Sequence, residues 1–151
     1  MEWQSGIAIN NSRFKKTMKL IMYADGGARG NPGPAATGVV IKNEKGETLA
    51  AYGEYLGRQT NNFAEYSAAI SGLKKARALG ATEIDCVLDS QLVVEQLNGR
   101  WKVKEPTLQK LFLAAWNEAR GFKKITIRHT RRGNNTEADR EVNKILDKHT
   151  L

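Results

Sequence analysis

Four carboxylates of the 151-residue chain stand where chemistry is possible: Asp25, Glu65, Asp89 and Asp139. Asp25 closes the apolar run KLIMYA, and Asp89 closes EIDCVL. Glu65 and Asp139 each fall near the start of a segment with helical spacing. An ionised carboxylate beside a core is costly unless something pairs with it. Several carboxylates brought together repel one another, and hard divalent cations relieve that repulsion through oxygen ligands. Mg²⁺ takes few carboxylates and completes its shell with water and phosphate. Two such ions roughly 4 Å apart can activate a water and stabilise the leaving oxygen of a phosphodiester.

Each acid also has a plainer explanation. Asn62 to Glu65 and Thr136 to Asp139 have capping-box spacing. Asp89 precedes Ser90 at a helix start, where the macrodipole favours an anion. Asp25 before Gly26-Gly27 suits a turn. The metal reading is preferred because all four fall at expected element ends along one sheet edge.

The elements that must position them follow from periodicity. KLIMYAD, ATGVVIKN and ETLAAYGEYL read as three strands, the last two joined by the turn EKG. From Asn62 to Leu79, apolar residues recur at Phe63, Tyr66, Ile70, Leu73, Ala76 and Leu79, a helical spacing that Gly80 ends. EIDCVLD is a fourth strand, SQLVVEQLNG a short helix stopped by Gly99, and Pro106 opens a helix stopped by Gly121. KKITIRH and TEADREVNKILDKH supply the last strand and helix. The order β-β-β-α-β-α-α-β-α predicts an α/β fold with a mixed sheet flanked by helices. If the first and fourth strands are parallel neighbours, Asp25 and Asp89 stand side by side, and two helix starts bring Glu65 and Asp139 to them.

Composition narrows the partner. The net charge of +8, from 24 basic and 16 acidic residues, favours a polyanion, nucleic acid first. An acidic, metal-filled cleft on a basic surface suits a nuclease. No run approaches the ~18 apolar residues that span a bilayer, and no secretory signal is visible, so no membrane partner and a cytoplasmic location are expected. The one cysteine, Cys86, reads as a buried strand residue. Residues 1–17 read as a flexible extension or cloning remnant, and 18–151 as a single domain. Trp116 is expected in the core with Leu108, Phe112 and Leu113, and His149 in solvent.

Four segments resemble the signatures of ribonuclease H type 1, in family order: ADGGARGNPGPAATGVV, GRQTNNFAEYSAAISGL, LDSQLVVEQLNGRWKVK and NNTEADREVN. They span Tyr23 to Asn143. The resemblance implies the ribonuclease H-like fold, a five-stranded mixed sheet with three antiparallel strands followed by parallel ones. It implies hydrolysis of the RNA strand of RNA–DNA hybrids by two metal ions, Mg²⁺ with Mn²⁺ as substitute, leaving 5′-phosphate and 3′-hydroxyl ends. Asp25, Glu65, Asp89 and Asp139 match the metal-binding acids of the family. By that match Asp25 bridges both ions, Asp89 helps hold the ion carrying the attacking water, Glu65 serves the leaving-group side, and Asp139 completes the other site.

Further positions carry over from the resemblance. Asn31, Asn62 and Gln91 match residues that touch RNA 2′-hydroxyls, which amides suit because they both donate and accept. Asn61 joins the substrate-binding set. Arg58 and Thr60 match a pocket gripping a DNA-strand phosphate. Gly26, Gly27 and Gly30 are expected to let backbone approach the sugar–phosphate chain. No obligate protein partner is implied. A nucleic-acid-binding module that does not cut, a DNA nuclease, resolvase or transposase on the same fold, and a domain of a reverse transcriptase remain the alternatives.

Two departures stand out. Larger members insert a basic, Trp-rich protrusion where this chain runs on as NGRWKVKEPTLQKL, leaving Trp101, Lys102 and Lys104 as its only counterpart. Many members also place a mobile histidine in the loop before the last acid. Here His129 sits at the end of the last strand, with an auxiliary role open to it, and Arg131 and Arg132 are expected to add charge at the rim. With fewer phosphates contacted, hybrid cleavage is expected to fall steeply between roughly 50 and 200 mM salt. Initial rates across that range check this, and a flat profile contradicts it.

Overall fold

The computed structural model describes residues 16–149, with the backbone alone for Arg132. Most of the segment expected to lie outside the fold, including Trp3, is outside the described residues. The elements are β1 (Lys19–Ala28), β2 (Gly33–Asn43), β3 (Thr48–Gln59), α1 (Asn61–Ala78), β4 (Glu83–Leu88), α2 (Gln91–Leu97), α3 (Pro106–Ala119), β5 (Lys124–His129) and α4 (Thr136–His149). A single 3₁₀ turn, Arg132–Asn134, precedes α4. The expected order of strands and helices holds.

The five strands form one sheet in the order β3-β2-β1-β4-β5. β1, β2 and β3 make an antiparallel meander. β4 and β5 run parallel to β1. Helices cover both faces, as parallel strands require. α1 lies on β1 and β2 with α3 packed against it, and α4 lies on the opposite face over β1, β2 and β3. β2 is therefore covered on both sides and reads as one nearly continuous buried stretch, whereas the edge strand β3 is largely exposed.

α1 has little amphipathic contrast because it is sandwiched. Its buried residues are mostly small: Ala64, Ala68, Ala69, Gly72 and Ala76, with Tyr66 and Leu73. They admit close approach to the sheet, where Met22 lies directly against Gly72. The main core gathers Leu20, Met22, Val39 and Ile41 from the sheet with Tyr66 and Leu73. On the other face Ala36 packs with Val142 and Leu146.

The glycine-rich run behaves differently from expectation. β1 continues through Gly26 and Gly27 to Ala28, opposite Ala35, so the turn shrinks to four residues, 29–32. A Cβ on Gly26 would lie 2.2 Å from the Ala64 carbonyl oxygen, and one on Gly38 would lie 2.1 Å from the Ala138 carbonyl oxygen. Gly26 thus admits α1, and Gly38 admits α4, onto the sheet. The expectation that Gly26 serves approach to a sugar–phosphate chain is corrected: its open side is filled by the protein's own helix.

Two smaller readings also change. Trp116 and Leu113 are 42% and 55% exposed. The buried stripe of α3 runs through Leu108, Ala115 and Ala119, one step away, and the Arg120 guanidinium lies 4.7 Å from the Trp116 ring centre. His149 is exposed, as expected, and also stacks on Tyr55, ring centres 4.1 Å apart and 3° from parallel. The cap of α1 is Thr60, whose hydroxyl accepts from the Phe63 N–H, not Asn62. Ser90 caps α2, and Cys86 is buried as expected.

Gly38→Ala sets a methyl against helix backbone that has no side-chain freedom to yield. It is expected to destabilise by about 2–4 kcal/mol, against less than about 1 kcal/mol for Gly133→Ala, which meets open space. Urea unfolding of both variants measures the difference.

Candidate active site

β1 and β4 are parallel neighbours in the register Ala24↔Leu88. The next residues, Asp25 and Asp89, therefore leave the same sheet edge side by side. Gly26 lets α1 approach so closely that its N–H donates to Glu65 Oε1 at 2.6 Å. Glu65 lies beyond the first turn of α1, because the helix begins at Asn61. Oxygens of Asp25, Glu65 and Asp89 all lie within 4.8 Å of one another. Asp139, in the first turn of α4, is not in that group of three. Its Oδ2 accepts from Asn143 Nδ2 at 3.2 Å, and its carboxyl is near enough to Asp25 to influence it.

The electrostatics are those of crowded, desolvated acids. Asp25 is 5% exposed. Burial first, and the Asp89 charge second, push its carboxyl up to about 8. Glu65 is raised well above the ordinary range by burial and then by Asp89 and Asp25, against the Gly26 N–H, which favours the charged form. Both carboxylate oxygens of Asp89 are buried with no hydrogen-bond partner among the described residues. Buried polar atoms are normally satisfied, and an orphaned carboxylate beside two more calls for a cation. The donors are all carboxylate oxygen, the chemistry of a hard divalent ion.

The other expected site residues lie in the turn after β1, at the starts of α1 and α2, near the end of β3, and at or just after the end of β5. Asn31 Oδ1 accepts from the Asn61 N–H, and Asn61 Oδ1 accepts from the Ala28 N–H, both at 2.9 Å. Each side chain is thereby oriented, and the β1–β2 turn is fastened to the start of α1. Asn62 and Gln91 are exposed at the first turns of α1 and α2. Arg58 is exposed opposite Pro34, beside the capping Thr60. His129 is exposed at the end of β5 and lines a groove of about 450 Å³ with Gln91, Glu95 and Arg128. Arg131 is exposed. A larger groove of about 580 Å³, between β3 and α1, contains none of the acids. The acids line neither of these grooves.

Sequence reading passed over three features. Gly38 is needed for α4 to descend; its mid-strand position was the available signal. Lys42 pairs with Glu137 at 2.7 Å and holds the first turn of α4 to β2. Asn135, immediately before α4, is buried and donates to the Ala24 carbonyl.

A twisted mixed sheet of this order, helices on both faces and acids at its parallel edge, defines a ribonuclease H fold. A family model described as reverse transcriptase-like matches residues 23–145. Ribonuclease HI of Halobacterium salinarum is 42% identical over 125 residues, 83% of this chain and 63% of that protein. The crystal structure of RNase H1 from that archaeon superposes with a TM-score of 0.84, covering 86% of this chain and 98% of the other. The bifunctional protein Rv2228c of Mycobacterium tuberculosis is 49% identical over 131 residues, 86% of this chain and 36% of that protein. LC11-RNase H1 in complex with an RNA/DNA hybrid gives a TM-score of 0.83 at 42% identity, covering 87% and 99% of the two chains. The chain belongs to the reverse transcriptase-like family, as a ribonuclease H of type 1. It spans about a third of the length of the mycobacterial relative and under two thirds of the halobacterial one.

A raised carboxyl makes the metal-free protein take up a proton on folding. Through Asp25 its stability is greatest below the ordinary value of 3.8 and declines as pH rises towards about 8. A cation must displace that proton, so Mg²⁺ is expected to raise the melting temperature more at about pH 8.5 than at about pH 5.5. Asp25→Asn is expected to stabilise the metal-free protein at about pH 8 by on the order of 2 kcal/mol and to abolish the Mg²⁺ shift. Thermal melts with and without Mg²⁺ at the two pH values check both.

Proposed function

We propose that the chain is an endoribonuclease that hydrolyses the RNA strand of RNA–DNA hybrids, leaving 5′-phosphate and 3′-hydroxyl ends. The observation that carries this reading is the Asp89 carboxylate, buried and unpartnered beside Asp25 and Glu65. A catalytic role for these acids is consistent with their convergence where β1 and β4 run side by side. A neighbour of the same fold, LC11-RNase H1, has been seen in complex with an RNA/DNA hybrid.

Asp25, Glu65 and Asp89 would hold divalent cations, Mg²⁺ with Mn²⁺ as substitute, and Asp139 would join them from α4. Bound there, two ions would activate a water and stabilise the leaving oxygen of the scissile phosphodiester. The protein's own groups orient and discriminate. The Gly26 N–H holds Glu65 in place. The fastened amides of Asn31 and Asn61, with Asn62 and Gln91, act as readers of 2′-hydroxyls. Arg58 and Thr60 form a clamp for a phosphate of the DNA strand. His129, across the groove from Gln91, has the position of an auxiliary group, and Arg131 adds positive charge. One buried thiol and no helix among the described residues long and apolar enough to cross a membrane fit a cytoplasmic setting.

Cleavage of an end-labelled hybrid, with duplex DNA and duplex RNA as controls, tests the reading. The RNA strand of the hybrid is expected to be cut only with Mg²⁺ or Mn²⁺, and Asp25→Asn is expected to lower the rate by about 10³-fold or more. Equal cutting of duplex DNA would support a resolvase, and hybrid binding without cleavage would support a non-catalytic module.

A further inference from the structure

We infer that Asn135 is the positioning residue of Asp139: its side chain ties the start of α4 to β1 and so sets the reach of the fourth acid towards the other three. The inference rests on the proposed metal-dependent function. Asn135 stands at the N-cap of α4, since its carbonyl accepts the first helical bond, from the Asp139 N–H at 3.1 Å. An Asn at that position ordinarily turns its side-chain oxygen onto an N–H of the first helical turn. Here Oδ1 is buried without a partner among the described residues, and Nδ2 instead donates to the Ala24 carbonyl at 2.9 Å, across 111 residues of sequence. The residue is 2% exposed.

One side chain forgoes its cap and bonds to the residue beside Asp25, while its main chain bonds to Asp139 itself. The remaining fastenings of α4 fit the same task. Lys42 holds Glu137 from β2, and Gly38 leaves no Cβ where the Ala138 carbonyl sits. Asp25 lies within β1, Asp89 directly follows β4, and Glu65 sits on a helix packed on both sides. Asp139 alone depends on a helix whose entry is a 3₁₀ turn, so its distance from the others needs a dedicated constraint.

Asn135→Ser separates tether from cap, because serine caps well but is too short to span to Ala24. Its melting temperature in metal-free buffer is expected to be unchanged or higher. Its Mg²⁺-induced melting shift is expected to fall to that of Asp139→Asn. Hybrid cleavage is expected to drop about 10–100-fold, with KM for hybrid within about twofold of the wild type. Adding Asn135→Ser to Asp139→Asn is expected to cost nothing further, since the first change acts through the second residue. Asn135→Ala, with neither cap nor tether, is expected to show the same loss of Mg²⁺ shift. A full Mg²⁺ shift and rate in the Ser variant would overturn the assignment. Losses that multiply in the double variant, or non-cooperative melting of both single variants, would do the same. If the wild type cuts no hybrid, the functional reading fails, and the melting shifts still decide the role of Asn135. A wild type without any Mg²⁺ shift would overturn both.

Discussion

The crowding of desolvated carboxylates at one sheet edge is the constraint around which the molecule is built. Asp25, Glu65 and Asp89 bring oxygens within 4.8 Å of one another, and the Asp89 carboxyl has no hydrogen-bond donor among the described residues. Left alone, such a group lowers stability and raises its own carboxyls towards the neutral form. A divalent cation reverses that balance. The site is stored repulsion held in place by the surrounding core, and the core is ordinary: an apolar cluster between sheet and α1, and a smaller one under α4.

Holding the acids together is chiefly a matter of how closely helices sit on strands. Gly26 and Gly38 are the points of contact, one for each helix that carries an acid. At both, helix carbonyl oxygens occupy the space where a side chain would begin. Around this edge the asparagines act as fasteners. Asn31 and Asn61 bind the turn after β1 to α1, and Asn135 binds α4 to β1. The side chains of Asn31 and Asn61 are thereby held in fixed orientations.

The readings that failed share a cause. Helical spacing places Trp116 with the core residues, but on α3 the buried stripe is set by contact with α1, and Trp116 falls beside it. Gly26 and Gly27 look like a loop in sequence because glycine is a turn signal, yet here β1 continues through them. Asn62 has capping-box spacing, but Thr60 makes the cap and Glu65 is directed to the sheet instead. In each case a local pattern was consistent with two outcomes, and packing between distant elements chose one.

Periodicity, punctuation by Gly and Pro, and acids at element ends determined the element order, the mixed sheet and which carboxylates to watch. These are properties of short windows, where neighbouring side chains and backbone conformation decide the outcome. The tertiary structure alone decided that β1 and β4 are adjacent in the register that pairs Asp25 with Asp89. It alone decided that α1 and α4 rest on glycines, and that Asn135 turns from its own helix to the sheet. Those outcomes depend on approach distances between segments far apart in the chain. No local spacing encodes such distances, because they arise only when the two faces of the sheet are closed by their helices.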